Sequence, residues 1–101
     1  MSAPKKLPAC WMIPAEERFA QLDATQQDCM LALLDIVRMT PTTGAFYGRT
    51  PRNRALRIVT SANAHLVYTL IYAHIGQAVM VVDCFVADWA MDADTGAVYP
   101  N

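Results

Sequence analysis

The sequence predicts an α+β domain in which an N-terminal helix hairpin packs on an antiparallel β-sheet. Residues 66–72 read Leu-Val-Tyr-Thr-Leu-Ile-Tyr, a run of β-branched and aromatic side chains, and residues 79–86 repeat that character after Gly76-Gln77. Upstream, residues 14–40 carry helix-start signals and apolar side chains at helical spacing. These patterns predict a long β-hairpin preceded by two helices.

The N-terminal segment predicts a short strand followed by the first helix. Residues 9–13, Ala-Cys-Trp-Met-Ile, form an apolar run between Pro8 and Pro14, which is typical of a strand at the edge of a sheet. Pro14 suits the first turn of a helix, where its missing N–H needs no partner. Phe19 and Leu22 would then supply the buried face of this helix.

The second helix has a start signal and an end signal. Asp23 is followed three residues later by Gln26, the pattern of a capping box. Pro41 should end the helix, because the residue before a proline disfavours helical backbone. Between them, apolar side chains recur at helical spacing: Cys29, Met30, Leu33, Leu34 and Val37. This stripe needs a sheet to cover it.

A three-stranded meander completes the predicted fold. The run at residues 56–60 is separated from the long hairpin by the polar cluster Ser61-Ala62-Asn63, which predicts a turn. Because side chains alternate along a strand, one face of residues 66–72 should pack on the helices. The other face is also apolar, so we expect the C-terminal segment, with a turn at residues 94–96, or another chain to cover it.

Length and composition predict one folded domain. The chain has 101 residues, of which 54% are hydrophobic and 17% charged, a balance that excludes an intrinsically disordered chain. We expect a core at residues 9–88 and an acidic tail at residues 89–101. Five arginines and no acid lie in residues 36–82, whereas four aspartates and no base lie in residues 83–101. A cationic centre of this kind is typical of a phosphate-binding surface.

No metal, cofactor or membrane span is expected. Cys10, Cys29 and Cys84 are widely spaced and share no metal-ligand pattern, so they indicate free thiols in a reducing, cytoplasmic setting. The sequence has no phosphate loop, nucleophile elbow or hydrolase triad. The apolar residues 66–82 are interrupted by the turn-like Gly76, which favours folded-back strands over a membrane-spanning segment.

The arginine-rich segment is the candidate nucleic-acid site. Residues 49–57 read Arg-Thr-Pro-Arg-Asn-Arg-Ala-Leu-Arg and follow Phe46 and Tyr47 closely. Aromatic rings stack on unpaired bases and guanidinium groups bind phosphate, so the combination indicates RNA. The predicted RNA-binding residues are Arg49, Arg52, Arg54 and Tyr47. The alternative is that the rings anchor this segment to the core.

The order of elements resembles the RelE/ParE superfamily of bacterial toxins, in which a short strand, two helices, a loop and a meander follow one another. Residues 11–23 resemble its first strand and helix, and residues 31–41 resemble its second helix with a terminal proline. Residues 63–68, Asn-Ala-His-Leu-Val-Tyr, stand where the family has Gly-Tyr-Arg-Leu-Val-Tyr. The resemblance covers residues 9–88.

This resemblance implies the toxin component of a type II toxin–antitoxin system, bound by its antitoxin in a hetero-oligomer. Ribonuclease members of the family cut mRNA on the ribosome without a cofactor. Attack by the 2′-OH needs a base, and cations must stabilise the charged phosphorane. By resemblance, the candidate catalytic residues are Arg57 on the second meander strand and His65, which replaces a family arginine.

Two other functions stay open. Where the family has an arginine at the end of the last strand, this chain has Ala87-Asp88-Trp89-Ala90, and a carboxylate there repels phosphate. A ParE-like inhibitor of DNA gyrase would need no catalytic residue. A non-catalytic phage or plasmid interaction protein would use the same sheet only for docking.

Overall fold

The computed structural model confirms the α+β class and shows a mixed sheet with two helices packed on one face. It describes residues 6–91 and 98–100. The helices within these residues are α1, Ile13–Ala20, and α2, Ala24–Met39. The strands are β1, Ala9–Trp11; β2, Ala45–Arg49; β3, Ala55–Asn63; β4, Leu66–Ile75; β5, Ala78–Met91; and β6, Val98–Pro100.

The strands pair in the order β1-β5-β4-β3-β2, and β6 pairs with the end of β5. β3, β4 and β5 form the predicted antiparallel meander. β1 runs parallel to β5, with Ala9 opposite Val79 and Trp11 opposite Val81. The prediction of an antiparallel sheet is therefore wrong at this edge. Two helices follow β1 in the chain, so no tight turn dictates its direction, and a parallel pair becomes accessible.

The second helix agrees with its sequence signals. The Gln26 backbone N–H donates to the Asp23 carboxylate at 2.8 Å, and the Asp23 N–H donates to the Gln26 side-chain oxygen at 3.2 Å. This reciprocal pair satisfies two N–H groups that a helix start leaves without intrahelical partners. The helix ends at Met39, before Pro41, as predicted.

The turn between β3 and β4 lies later than predicted. Residues 61–63 continue β3 and pair with residues 66–68, so the predicted turn at Ser61-Ala62-Asn63 is wrong. Residues 61–63 are polar or small because they lie on an exposed part of the strand, and not because they form a turn. The connection is Ala64-His65, and Ala64 has a φ of 57°, a left-handed conformation that favours glycine.

The segment after α2 forms a strand, β2, where the resemblance to the RelE/ParE superfamily implies a loop. β2 pairs antiparallel with β3 and has a bulge between Phe46 and Gly48. Four of its five residues are exposed, so no alternation of apolar and polar side chains marks it as a strand. Its position at the sheet edge sets the direction of the arginine-rich segment that follows.

The core lies between the helices and one face of the sheet, as the alternation along β4 predicts. Tyr68, Leu70 and Tyr72 of β4 meet the apolar stripe of α2, while Val79 and Val81 come from β5. The opposite face of β4 is buried as well, through Val67, Thr69, Ile71 and Ala73. The predicted turn at residues 94–96 lies outside the described residues. No helix in the described part of the chain has the length and apolar character needed to cross a membrane.

Candidate nucleic-acid interface

The arginine-rich segment forms the closed tip of the β2–β3 hairpin. The Asn53 N–H donates to the Thr50 carbonyl at 2.8 Å, and the Thr50 N–H donates to the Arg54 carbonyl at 2.9 Å. Pro51 occupies the second turn position, where its fixed φ is favourable, and Asn53 follows with a left-handed φ of 64°. A β-turn followed by a left-handed residue is a common three-residue hairpin loop. We call residues 49–54 the cationic tip.

The three arginines of the cationic tip point into solvent. Arg49, Arg52 and Arg54 are all exposed, and no carboxylate of the described residues pairs with them. Arg49 donates to the Asn53 carbonyl at 3.1 Å, and its guanidinium carbon lies 5.7 Å from the centre of the Phe46 ring. These contacts order one arginine without neutralising its charge.

Two aromatic rings flank the cationic tip on β2. Phe46 is 63% exposed and Tyr47 is 55% exposed, so neither ring serves mainly as an anchor to the core. The structure thus brings the four predicted RNA-binding residues together on one hairpin. Exposed rings beside guanidinium groups are the chemistry that binds single-stranded nucleic acid.

Arg57 has a different environment. It is half-buried opposite Tyr72, and its guanidinium donates to the Gly44 carbonyl at 2.7 Å. The Tyr72 hydroxyl accepts from the Gly44 N–H at 3.0 Å and donates to the Pro41 carbonyl at 2.6 Å. We call Pro41, Gly44, Arg57 and Tyr72 the loop clamp, because these contacts fix the chain between α2 and β2.

Gly44 is required by the loop clamp. A Cβ atom at this position would lie 2.7 Å from the Tyr72 hydroxyl oxygen and 3.0 Å from the Arg57 Cβ. The backbone of residue 44 therefore approaches these side chains closely because it has no side chain of its own. The sequence gives no direct sign of this packing, since the three residues lie far apart in the chain.

His65 lies in the exposed turn between β3 and β4. Its Nε2 atom is 3.9 Å from Asp88 Oδ1, and both side chains are largely exposed, so the pair contributes little to stability. The distance from residue 57 to residue 63 along β3 is about 20 Å at the usual strand rise, and His65 lies beyond that point. The structure does not bring Arg57 and His65 together.

An apolar groove lies beside the cationic tip, on the sheet face opposite the helices. It has a volume of about 730 Å³. Its apolar lining is Met12, Leu56, Ile75, Met80 and Val82, and the cationic tip supplies the remaining wall. We call it the tip groove. Sequence reasoning missed it because its lining comes from four strands or strand ends that only the register places side by side.

The buried ionisable groups of the core are held neutral. Burial raises the pKa of Tyr72, against the lowering effects of the Gly44 N–H and of Arg57. Burial also raises the pKa of the Cys84 thiol to about 11, and nearby Asp83 adds to this shift. Cys84 is therefore inert as a nucleophile at neutral pH. Among the described residues, no group of three or more His, Cys, Asp or Glu side chains is placed to hold a metal ion.

Comparison of the chain with protein-family models, with curated proteins and with solved structures finds no match.

Proposed function

We propose that the chain is the toxin component of a bacterial type II toxin–antitoxin system and acts on ribosome-bound mRNA. The proposal includes a RelE/ParE-like arrangement of a helix hairpin on the sheet. The observation that carries it is the cationic tip, where three exposed arginines without carboxylate partners in the described residues adjoin the exposed rings of Phe46 and Tyr47. Phosphates and unpaired bases are the ligands that match this surface.

Within this proposal the tip supplies binding, and His65 is the stronger candidate for proton transfer. His65 is exposed to an incoming substrate, whereas Arg57 is engaged with the Gly44 carbonyl. An imidazole can remove the proton from a 2′-OH near neutral pH. Arg57 would act on RNA only if substrate binding drew it away from the loop clamp.

The separation of Arg57 and His65 favours a second candidate function, a toxin of similar architecture that acts by binding alone. A ParE-like inhibitor of DNA gyrase belongs to this class. Such a protein needs a cationic surface but no base placed next to a cation. The specific observation in its favour is that His65 lies in the β3–β4 turn, beyond residue 63, which is itself about 20 Å from Arg57 along β3.

The proposed antitoxin would cover apolar side chains that lie on the surface of the described residues. Ile13 is 70% exposed and Ile36 is 54% exposed, one on each helix. A partner segment with apolar side chains would remove both from water. Association would then be driven mainly by apolar burial.

The proposal is tested by adding purified protein to a cell-free translation reaction and mapping the ends of the message by primer extension. Cuts at codons in the ribosomal A site are expected from the unmodified chain. Arg52→Gln combined with Arg54→Gln should abolish them. Arg18→Gln is the control, because it removes an exposed arginine that lies on α1, where it pairs with Asp83 at 3.3 Å, and not on the cationic tip.

The variants also separate the candidate functions. Loss of cutting in His65→Ala, with the fold retained, would support its proposed chemical role, and unchanged cutting would exclude that role. Full translation with an intact message would refute the ribonuclease function. Accumulation of gyrase–DNA cleavage complexes in treated cells would then support the binding function.

A further inference from the structure

The tip groove has two chemically distinct sides. Its floor is the sheet face that carries Leu56, Ile75 and Met80, and its far edge is Met12, whose N–H donates to the Val81 carbonyl at 2.9 Å. The opposite side is the cationic tip. From β1 to β3 the floor crosses three strand spacings, or about 14 Å. Among the described residues, no acidic side chain lines the groove.

The size and lining are those of a small-ligand site. Clefts of about 300–1,000 Å³ with apolar walls and a few orienting polar groups are typical of such sites. The volume of about 730 Å³ lies within that range. The charged groups that the described residues place at the groove all stand on one wall, so the groove can satisfy one anionic end of a ligand while the rest lies on hydrocarbon.

We propose that the tip groove binds a monomeric long-chain carboxylate. Its hydrocarbon chain would lie across Leu56, Met80 and Met12, and its carboxylate would pair with arginines of the cationic tip. Guanidinium groups bind carboxylates through paired, charge-assisted hydrogen bonds. Each methylene that leaves water adds to the affinity, so the floor favours a long chain over a short one.

The arrangement favours this ligand over two polymers. An amphipathic acidic helix would carry charges along both margins of its apolar stripe, whereas the margin of the groove opposite the tip consists of Met12 and Val82. RNA has no hydrocarbon to place on the floor. The rings proposed to stack on its bases, Phe46 and Tyr47, do not line the groove.

This site goes beyond the proposed toxin function and does not depend on it, although it shares the same three arginines. Carboxylate and RNA would therefore compete for the cationic tip. The apolar residues that line the groove are not part of the proposed RNA site, which allows one site to be impaired without the other. Met12 is suited to this purpose because it is 41% exposed and lies outside the core.

The test is a calorimetric titration of the full chain with sodium dodecanoate below its micelle concentration. One molecule should bind per chain. Arg52→Gln combined with Arg54→Gln should weaken binding by about tenfold or more, as expected for losing charge-assisted contacts. Met12→Asp should weaken it by a similar factor, because a carboxylate then faces the hydrocarbon. Arg18→Gln should leave binding unchanged.

Several results would overturn the proposal. Dodecanol binding as tightly as dodecanoate would show that the arginines do not select an anion. Unchanged affinity in the tip variant or in Met12→Asp would place the ligand elsewhere. Binding to oleate-containing vesicles without binding to monomeric dodecanoate would identify a membrane surface instead. If the chain bound an acidic amphipathic peptide or single-stranded RNA but did not bind dodecanoate, the groove would be a site for that polymer.

Failure of this proposal is distinguishable from failure of the proposed function. Met12→Asp should lose dodecanoate binding and retain message cutting. If the unmodified chain cut message but did not bind dodecanoate, only the groove proposal would be overturned. Dodecanoate binding with an intact message would support the groove site and refute the ribonuclease.

Discussion

Removing one oxygen atom from Tyr72 tests the loop clamp. Tyr72 is fully buried, and its hydroxyl bonds both the Gly44 N–H and the Pro41 carbonyl. Tyr72→Phe keeps the ring and its packing but leaves both backbone groups without their partner. The variant therefore isolates the hydrogen bonds from the hydrophobic contribution of the side chain.

The expected loss follows from the exposure of the two groups. Gly44 is buried, so its unpaired N–H should cost about 1–3 kcal/mol. Pro41 is only half-buried, and water can reach its carbonyl, so losing the hydrogen bond to this carbonyl should cost about 1 kcal/mol. The free energy of unfolding should fall by about 2–4 kcal/mol in all, a large share of the usual total for a domain.

Urea unfolding of Tyr72→Phe and of the unmodified chain measures this difference. The matched control is Tyr47→Phe, which removes the same atom from a ring that is 55% exposed and should change stability by less than about 0.5 kcal/mol. Amide hydrogen exchange at Gly44 gives a local readout, because its protection should drop in Tyr72→Phe. A loss no larger than that of the control, with Gly44 still protected, would refute the clamp.

Three further predictions concern separate parts of the fold. Ala64→Gly should raise the free energy of unfolding by about 0.5–1 kcal/mol, because Ala64 has a φ of 57°. The control Ala62→Gly, on the adjoining strand, should lower the free energy of unfolding. If urea unfolding showed that Ala64→Gly is destabilising, the argument that Ala64 is strained by its left-handed φ would be wrong. Burial raises the pKa of Cys84 from 9.0 to about 11, so the unfolded chain loses this proton first. Stability should therefore fall as pH rises from about 9 to about 11, and Cys84→Ala should reduce the slope measured between about pH 8 and pH 10. An unchanged slope would show that Cys84 is not the titrating group. Asp23→Ala should cost about 1 kcal/mol by removing the cap of α2, and an unchanged thermal midpoint would contradict this.

The elements with local signals were predictable from sequence. The capping pair of Asp23 and Gln26 located the start of α2, and Gly76 located the turn of the long hairpin, where its φ is 58°. The signals failed where tertiary contacts decide. Ala64 takes a conformation that alanine seldom adopts, so nothing in the residue type marked the true β3–β4 turn. The parallel pairing of β1 depends on two intervening helices and not on any local turn.

The candidate site was predictable in composition but only partly in geometry. Aromatic and basic residues identified the cationic tip, and Pro51 followed by Asn53 is a turn signal that would have predicted a closed hairpin. The sequence could not indicate the role of Arg57, because its guanidinium donates to a backbone carbonyl, that of Gly44, and every residue has such a carbonyl. The tip groove was equally hidden, since its lining is distant in sequence and becomes contiguous only through the strand register.

The position of β2 at the end of the sheet bears on self-association. No strand of the described residues pairs with its outer side, so its backbone could add a strand from another molecule. The bulge between Phe46 and Gly48 interrupts the regular spacing of its donors and acceptors, and Arg49 places a charge at its end. Two copies whose β2 strands paired in parallel would bring their cationic tips side by side, where like charges repel. The same hairpin that offers charge to a ligand thus disfavours parallel pairing of two β2 edges.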